Sequence, residues 1–294
     1  MFDVPVVLMI YNRPELTRQV FSAIRMIRPA TLFIIADGPK NEADAVLCAA
    51  ARQAVTAVDW PCQVHRLYAA ENMGVARRPL TGLNQVFQQV EAAIILEDDT
   101  LPDLSFFEFC RELLNHYKHD PSILLIGGTN LCGHIDIQAA YGTSRFYLPP
   151  WGWASWRRSW QQYDFTMHDW AQFKSKWALQ VPETFAFWET FLDRYSQKLS
   201  SWDVQLCYTL WRTKTKAIIP KQNLVRNLGY HAQATFTKLS KSFVLDLPLQ
   251  SCTLPLEHPL AKTPDLDTLI EPKVIRFLEE IMQFNQRSGI VLNH

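Results

Sequence analysis

Ala92-Ala93-Ile94-Ile95-Leu96-Glu97-Asp98-Asp99 is an apolar run that breaks directly into three carboxylates. A continuous stretch of small and branched apolar residues reads as a strand buried on both faces, the signature of a parallel sheet. Three adjacent carboxylates repel one another. Setting them at the end of a buried strand is costly unless a cation or hydrogen-bond donors compensate. The same letters would fit a solvated acidic turn opening the next helix, with Thr100 or Asp103 as its N-cap. The strand in front favours the first reading.

Upstream, similar strands alternate with helical patterns. Pro5–Ile10 is a β-rich run, followed by Pro14 and a helix over Glu15–Ile27. Thr31–Ala36 is a second strand and ends at Asp37-Gly38-Pro39. An Ala-rich helix over Glu42–Val58 leads to a third strand, Gln63–Tyr68, and the turn Glu71-Asn72-Met73-Gly74 opens a helix over Val75–Val90. This rhythm predicts βαβ units: an α/β, Rossmann-like fold with a mixed, mainly parallel sheet flanked by helices. In such sheets ligands bind beyond the carboxyl ends of the strands. Asn12-Arg13, Asp37-Gly38 and Glu97-Asp98-Asp99 would meet there.

Downstream the rhythm fades. Ser122–Gly128 reads as a fifth strand, Arg145–Leu148 as a sixth and Ala217–Ile219 as a last one. Helices are expected over Trp170–Leu179, Glu183–Ser200, Asp203–Thr215 and Pro272–Phe284, while Leu249–Thr268 has no clear period. Nine of the ten tryptophans fall between Trp151 and Trp211.

Composition removes several classes. With 48% hydrophobic residues and no net charge, the 294-residue chain is not a disordered polymer. Twenty-nine basic residues balance twenty-nine acidic ones, so no chain-wide footprint for nucleic acid exists. Apolar runs such as Pro5–Tyr11 are far shorter than the ~20 residues of a membrane span. Met1-Phe2-Asp3 does not resemble the start of a signal peptide. Six scattered cysteines without a Cys-x-x-Cys pair suit reduced thiols. The expectation is a cytoplasmic protein, with peripheral membrane contact left open.

Each candidate site residue has a plain reading beside the functional one. Asp37 could accept hydrogen bonds from a nucleobase or ribose, with Gly38 allowing close approach, or the pair could be an ordinary turn. Arg13 could bind phosphate or make a surface ion pair. Asn72, Gly74 and Arg77 could cradle an anion or simply start a helix. Asp203 beside Trp202 suits a general base flanked by a sugar-stacking ring, or an N-cap. Trp151-Gly152-Trp153, after two prolines, suggests aromatic faces exposed in a loop, which match the apolar faces of sugars. Trp170, Trp177 and Trp188 read as core. His231, after Gly229-Tyr230, admits three readings: metal ligand, phosphate donor or inert loop residue. No Walker loop, Gly-x-Ser-x-Gly elbow or His-Glu-x-x-His pattern occurs.

Taken in order, Tyr11-Asn12-Arg13, Asp37-Gly38, Asn72-Met73-Gly74, Glu97-Asp98-Asp99, Trp151-Gly152-Trp153, Trp202-Asp203 and Gly229-Tyr230-His231 resemble the nucleotide-diphospho-sugar transferases of the GT-A fold. Among these the likeness is strongest to the N-acetylglucosaminyltransferase I family and its bacterial relatives, with some to family 2 glycosyltransferases. The likeness spans about residues 4 to 235; it is loose between Asp37 and Glu97 and has no counterpart past about residue 240. It implies a nucleotide-sugar-binding half (1–130), an acceptor-side half carrying the base (131–240) and a C-terminal tail with a helix (241–294), in one continuous domain. Asp99 would hold a divalent metal, Mn²⁺ favoured and Mg²⁺ the alternative, bridging the diphosphate, with His231 a further candidate ligand. Glu97 and Asp98 would contact ribose and donor sugar, Asp37 the base, and Arg13 the phosphates or base pocket. Tyr11, Asn12, Asn72, Gly74 and Arg77 would complete the donor site. Trp151, Gly152, Trp153 and Trp202 would face the acceptor, and Asp203 would be the base of an inverting transfer. Residues Gly229–Phe236 would resemble a loop that orders over bound donor. Two rivals are a sugar nucleotidyltransferase, which would carry a glycine-rich loop after the first strand, and a non-catalytic carbohydrate-binding protein using the tryptophans.

Overall fold

The computed structural model describes residues 1–148, 150–177, 184–198, 201–229, 242–260 and 262–287. Strands β1 (Val6–Ile10), β2 (Thr31–Ala36) and β3 (Gln63–Tyr68) alternate with helices α1 (Pro14–Ile27), α2 (Glu42–Ala54) and α3 (Gly74–Gln89), and β4 (Ala92–Glu97) follows. Then come β5 (Thr100–Pro102), α4 (Leu104–His116), β6 (Ile123–Gly127), β7 (Tyr141–Ser144), β8 (Trp153–Trp156) and α5 (Arg157–Trp160). The chain continues through α6 (Trp170–Trp177), α7 (Phe185–Lys198), α8 (Val204–Thr213), β9 (Lys216–Pro220), β10 (Val225–Asn227) and α9 (Asp267–Arg287).

Eight strands form one sheet in the order β3-β2-β1-β4-β8-β6-β9-β7, and β5 pairs with β10 separately. The first four strands are parallel, β8 is antiparallel to both its neighbours, β9 is parallel to β6, and β7 is antiparallel to β9. The result is a mixed, mainly parallel α/β sheet flanked by helices. Its strand order reverses between β1 and β4, because β2 and β3 were laid down on one side of β1 and β4 on the other. Such a reversal opens a crevice at the carboxyl ends of the two central strands.

Local sequence explains the helices. α1 starts with Pro14 at its first position and buries Val20, Phe21 and Ile24 on one face. The side chain of Asn41 caps α2 by accepting Asp44 N at 2.9 Å, and Asp103 caps α4 through Ser105 N at 2.9 Å. Asp103 therefore has the capping role that its position suggested.

Three expectations change in the second half. The strand expected at Arg145–Leu148 lies upstream, at Tyr141–Ser144. Asp267 ends it by accepting Arg145 N at 2.8 Å, Arg145 Nε at 2.8 Å and Ser144 Oγ at 2.9 Å. α9 begins at Asp267 rather than Pro272, since Leu266 N is held by Thr143 O at 2.8 Å and fixes the helix start against β7. Trp151-Gly152-Trp153 is not an exposed loop. Gly152 turns the chain with φ +60, and Trp153 opens β8 in the middle of the sheet, opposite Ile95 on one side and Gly127 on the other.

All ten tryptophans are buried. Several are placed by a single N–H: Trp211 donates to Arg145 O, Trp170 to Asp193, Trp160 to Asn84 and Trp188 to Glu271 of α9. The rings of Trp177 and Trp211 stack at 4.2 Å, and Trp188 meets Trp211 edge-on at 4.9 Å. These contacts knit α6, α7, α8 and α9 onto the sheet. Replacing Trp188 by Ala should therefore cost about 3–5 kcal/mol of stability, read from denaturant unfolding. A loss under about 1 kcal/mol would contradict its place in the core.

Candidate functional site

Parallel pairing brings the chemistry together. Ile10 sits opposite Ala36 and Met9 opposite Glu97, so the residues that follow β1, β2 and β4 share one edge of the sheet. A cavity of about 490 Å³ opens there, lined by Tyr11, Arg13, Asp37, Asn72, Gly74, Arg77 and all of Glu97-Asp98-Asp99, among others. A second cavity of about 280 Å³ adjoins it, lined by Trp151, Trp202, Asp203, Asn227 and Gly229. Arg13, Val75, Glu97 and Asp99 line both. Asp99 and Arg13 thus stand at the junction of the two spaces.

The acidic trio is held by few donors. Arg13 Nη1 lies 2.5 Å from Asp99 Oδ2 and 3.6 Å from Asp98 Oδ1, and Tyr11 N donates to Asp98 Oδ2 at 3.1 Å. Burial raises the Asp98 carboxyl to about 7, offset in part by Arg13. Glu97 is pushed well above the usual carboxylate range by burial first, then by Asp99, Asp203 and Asp98. Among the described residues, the ion pairs to the trio come from Arg13, while Lys40, Arg77 and Arg78 line the same cavity.

Asp37 has a different role from an open nucleobase acceptor. Its Oδ1 accepts Gly38 N and Met73 N, both at 2.8 Å. Its Oδ2 accepts Gly74 N at 2.9 Å and Asn72 Nδ2 at 3.2 Å. A carboxylate offers about four such sites, so a base edge reaches Asp37 only by displacing one of these donors. The side chain ties the β2 end to the start of α3. Gly74 opens that helix at φ +80, a conformation that a side chain would strain. The close approach at Gly38 comes from the backbone of Glu71: a Cβ on Gly38 would lie 2.3 Å from the Glu71 carbonyl carbon.

Tyr11 and Asn12 are likewise engaged within the protein. The Tyr11 hydroxyl donates to Asp44 Oδ2, and Asn12 Nδ2 donates to Asp44 Oδ1 at 2.6 Å. Asp44 pins both to the first turn of α2, where Lys40 N also donates to it. Sequence reading passed over Asp44 because it resembles any acidic residue of a helix start. Arg77 is exposed beside the first cavity, whereas its neighbour Arg78 is 7% exposed and donates to Ala36 O and Leu67 O at the ends of β2 and β3. The pattern Arg77-Arg78 could not say which of the two turns inward.

Across the second cavity, Asp203 precedes α8. Its Oδ1 accepts Val204 N at 3.0 Å and Ser201 Oγ at 2.5 Å, and burial raises its pKa. It is both the cap of α8 and a cavity carboxylate. Trp202 is 2% exposed and stacks at 5.9 Å on Trp153, itself 1% exposed. Neither offers a free face for sugar stacking, because each is covered by the other and by the core. Trp151 is buried but borders the second cavity and packs edge-on against Phe277. Gly229 lies over Asp99, and Leu228 N donates to Asp99 O at 2.6 Å. His231 and the remainder of the expected loop lie outside the described residues.

Among the described residues, the three-ligand cluster tight enough to grip a metal alone is Asp164, His168 and Asp169. It is a hydrogen-bonded turn in front of α6, with Asp164 accepting Thr166 N and His168 N at 3.0 Å. The carboxylates of Glu97, Asp98 and Asp99 do not converge in this way.

No family model and no curated protein matches the chain. Among solved structures 99 chains match. One is a UDP-glucose pyrophosphorylase complexed with UDP-glucose, 12% identical with a TM-score of 0.27, covering 50% of this chain and 64% of that one. The chain thus spans just under two thirds of that protein, and a likeness this slight carries no weight for function. No described helix is long and apolar enough to cross a membrane.

A pH dependence follows from the acidic trio. Asp98 and Glu97 hold their protons more tightly folded than unfolded. Their contribution to stability is fully present below about pH 4 and, for Asp98, is lost as pH rises through about 7. In chelator-containing buffer, the urea midpoint of Asp98→Asn should gain on that of the unaltered protein between those limits. Parallel pH profiles would contradict the burial of Asp98.

Proposed function

We propose that this chain is an inverting, metal-dependent glycosyltransferase. It would move a sugar from a nucleoside diphosphate, a UDP-sugar favoured and UDP-N-acetylglucosamine among the candidates, to a hydroxyl of a glycan or other acceptor. The observation that carries the reading is the pair of cavities meeting at Asp99 and Arg13, with the half-buried carboxylate of Asp203 across the second. One space suits a nucleotide and the other an acceptor, and the bond to be broken would lie where they join.

The donor set suits a hard divalent cation. It offers three adjacent carboxylates that repel one another and an unconverged arrangement that would leave other coordination positions to the ligand and water. Such a cation, when bound through Asp99, would neutralise charge developing on the leaving diphosphate. Arg13 contributes a second positive charge that needs no proton transfer. Asp37 fixes the backbone from Asn72 to Gly74 against β2, shaping the floor of the donor cavity. Among the described residues the hydrogen bonds to Asp203 fall on Oδ1, which leaves Oδ2 to accept the proton of an attacking hydroxyl. Its raised pKa suits that task.

The alternatives are weaker on this geometry. A nucleotidyltransferase would be expected to wrap phosphates with a glycine-rich loop, but Tyr11-Asn12-Arg13-Pro14 has no glycine and is tied down through Asp44. A carbohydrate-binding module built on tryptophan faces is disfavoured, since all ten tryptophans are buried.

Calorimetry with UDP and Mn²⁺ tests the metal assignment: Asp99→Ala should abolish metal-dependent nucleotide binding, and unchanged affinity would refute it. Asp203→Asn should keep that binding while turnover drops by roughly 10²–10⁴. Near-normal turnover would remove Asp203 as the base.

A further inference from the structure

The ion pair between Arg13 and Asp99 has a consequence for how the site fills, and it rests on the metal reading above. Arg13 Nη1 takes Asp99 Oδ2 at 2.5 Å. On another flank of that same oxygen stands Gly229, so close that a Cβ there would lie 2.3 Å from Oδ2. A cation approaching this oxygen meets protein at Gly229 and a guanidinium at Arg13. Only the second can move without shifting the backbone. The backbone of Arg13 is itself fixed, its carbonyl accepting Thr17 N at 2.9 Å and Thr17 Oγ1 at 2.8 Å as α1 begins. The side chain therefore swings from a stationary pivot, and it lines both cavities. Its planar fork suits phosphate oxygens as well as a carboxylate.

We infer that Arg13 is an internal counter-ion that competes with the divalent cation for Asp99 and passes to the diphosphate when the cation takes its place. Metal alone must displace a guanidinium that then keeps the longer contact to Asp98, at 3.6 Å, in place of its short one to Asp99. Metal together with a nucleoside diphosphate displaces it onto a better partner. Metal and nucleotide consequently strengthen each other's binding, and by linkage the coupling is equal in both directions. Three carboxylates freed of Arg13 would hold a cation more tightly, because their mutual repulsion would lose the guanidinium that now offsets it.

The experiment is a Mn²⁺ titration of the whole protein, followed by the electron paramagnetic resonance signal of free Mn²⁺, with and without UDP. Arg13→Gln should bind Mn²⁺ alone roughly ten- to a hundredfold more tightly than the unaltered protein, the scale of one hydrogen bond to a charged group. UDP should then strengthen Mn²⁺ binding much less than it does in the unaltered protein. Arg13→Lys, which keeps the charge without the fork, should fall between the two and serves if Arg13→Gln does not fold. Equal or weaker Mn²⁺ binding in these variants would overturn the exchange. Asp99→Asn separates the two levels: if it binds Mn²⁺ as well as the unaltered protein, the metal assignment itself fails. If it loses Mn²⁺ while Arg13→Gln gains nothing, only the exchange fails.

Discussion

Three consecutive carboxylates at the carboxyl end of a buried strand, paired among the described residues with the guanidinium of Arg13, set the terms for the rest of this molecule. Asp98 and Glu97 are held above the ordinary carboxylate range because burial withdraws water faster than Arg13 can replace it. Such a site is a poor way to gain stability. In the proposed function it is where positive charge arrives with the ligand, and the topology delivers that place to a crevice.

Everything near the site serves to keep that strand end in register. β1 lies between β2 and β4, so Arg13, Asp37 and Asp99 share an edge although they are far apart in sequence. Asp37 binds the start of α3 to the end of β2, and Asp44 binds Tyr11 and Asn12 to α2. These two aspartates spend their hydrogen bonds on the protein, leaving Arg13 and the acidic trio to face the cavity. On the other side, β8 is threaded antiparallel between β4 and β6, and Trp153 within it supports Trp202, which presents Asp203.

Much of this was legible in the sequence. Apolar runs ending in polar residues placed β1, β2 and β4 and their shared edge, because a buried parallel strand has almost no other way to be written. The helices of the first half followed from Pro14, the Ala-rich stretch and the turn at Asn72-Met73-Gly74. The tryptophans were harder. Trp151-Gly152-Trp153 after two prolines looks like a loop, and only pairing with strands distant in sequence turns it into the centre of a sheet. Asp37 and Asp44 show another limit: the residue type announces four acceptor sites, but not whether ligand or backbone fills them. The inward turn of Arg78 instead of Arg77 is set by how α3 is rotated against the ends of β2 and β3, which two adjacent arginines do not reveal.

The tryptophan-rich half is thus core that carries Asp203 to the second cavity, while the charged side chains of the first half gather at the strand ends. The most direct test is a thermal-shift screen of UDP-sugars and glycans, each with and without Mn²⁺, because a ligand of the folded state raises its melting temperature by mass action. The account predicts a clear rise only when a nucleotide sugar and Mn²⁺ are present together. Equal stabilisation by a nucleotide sugar with and without the metal, or by a glycan alone, would contradict it.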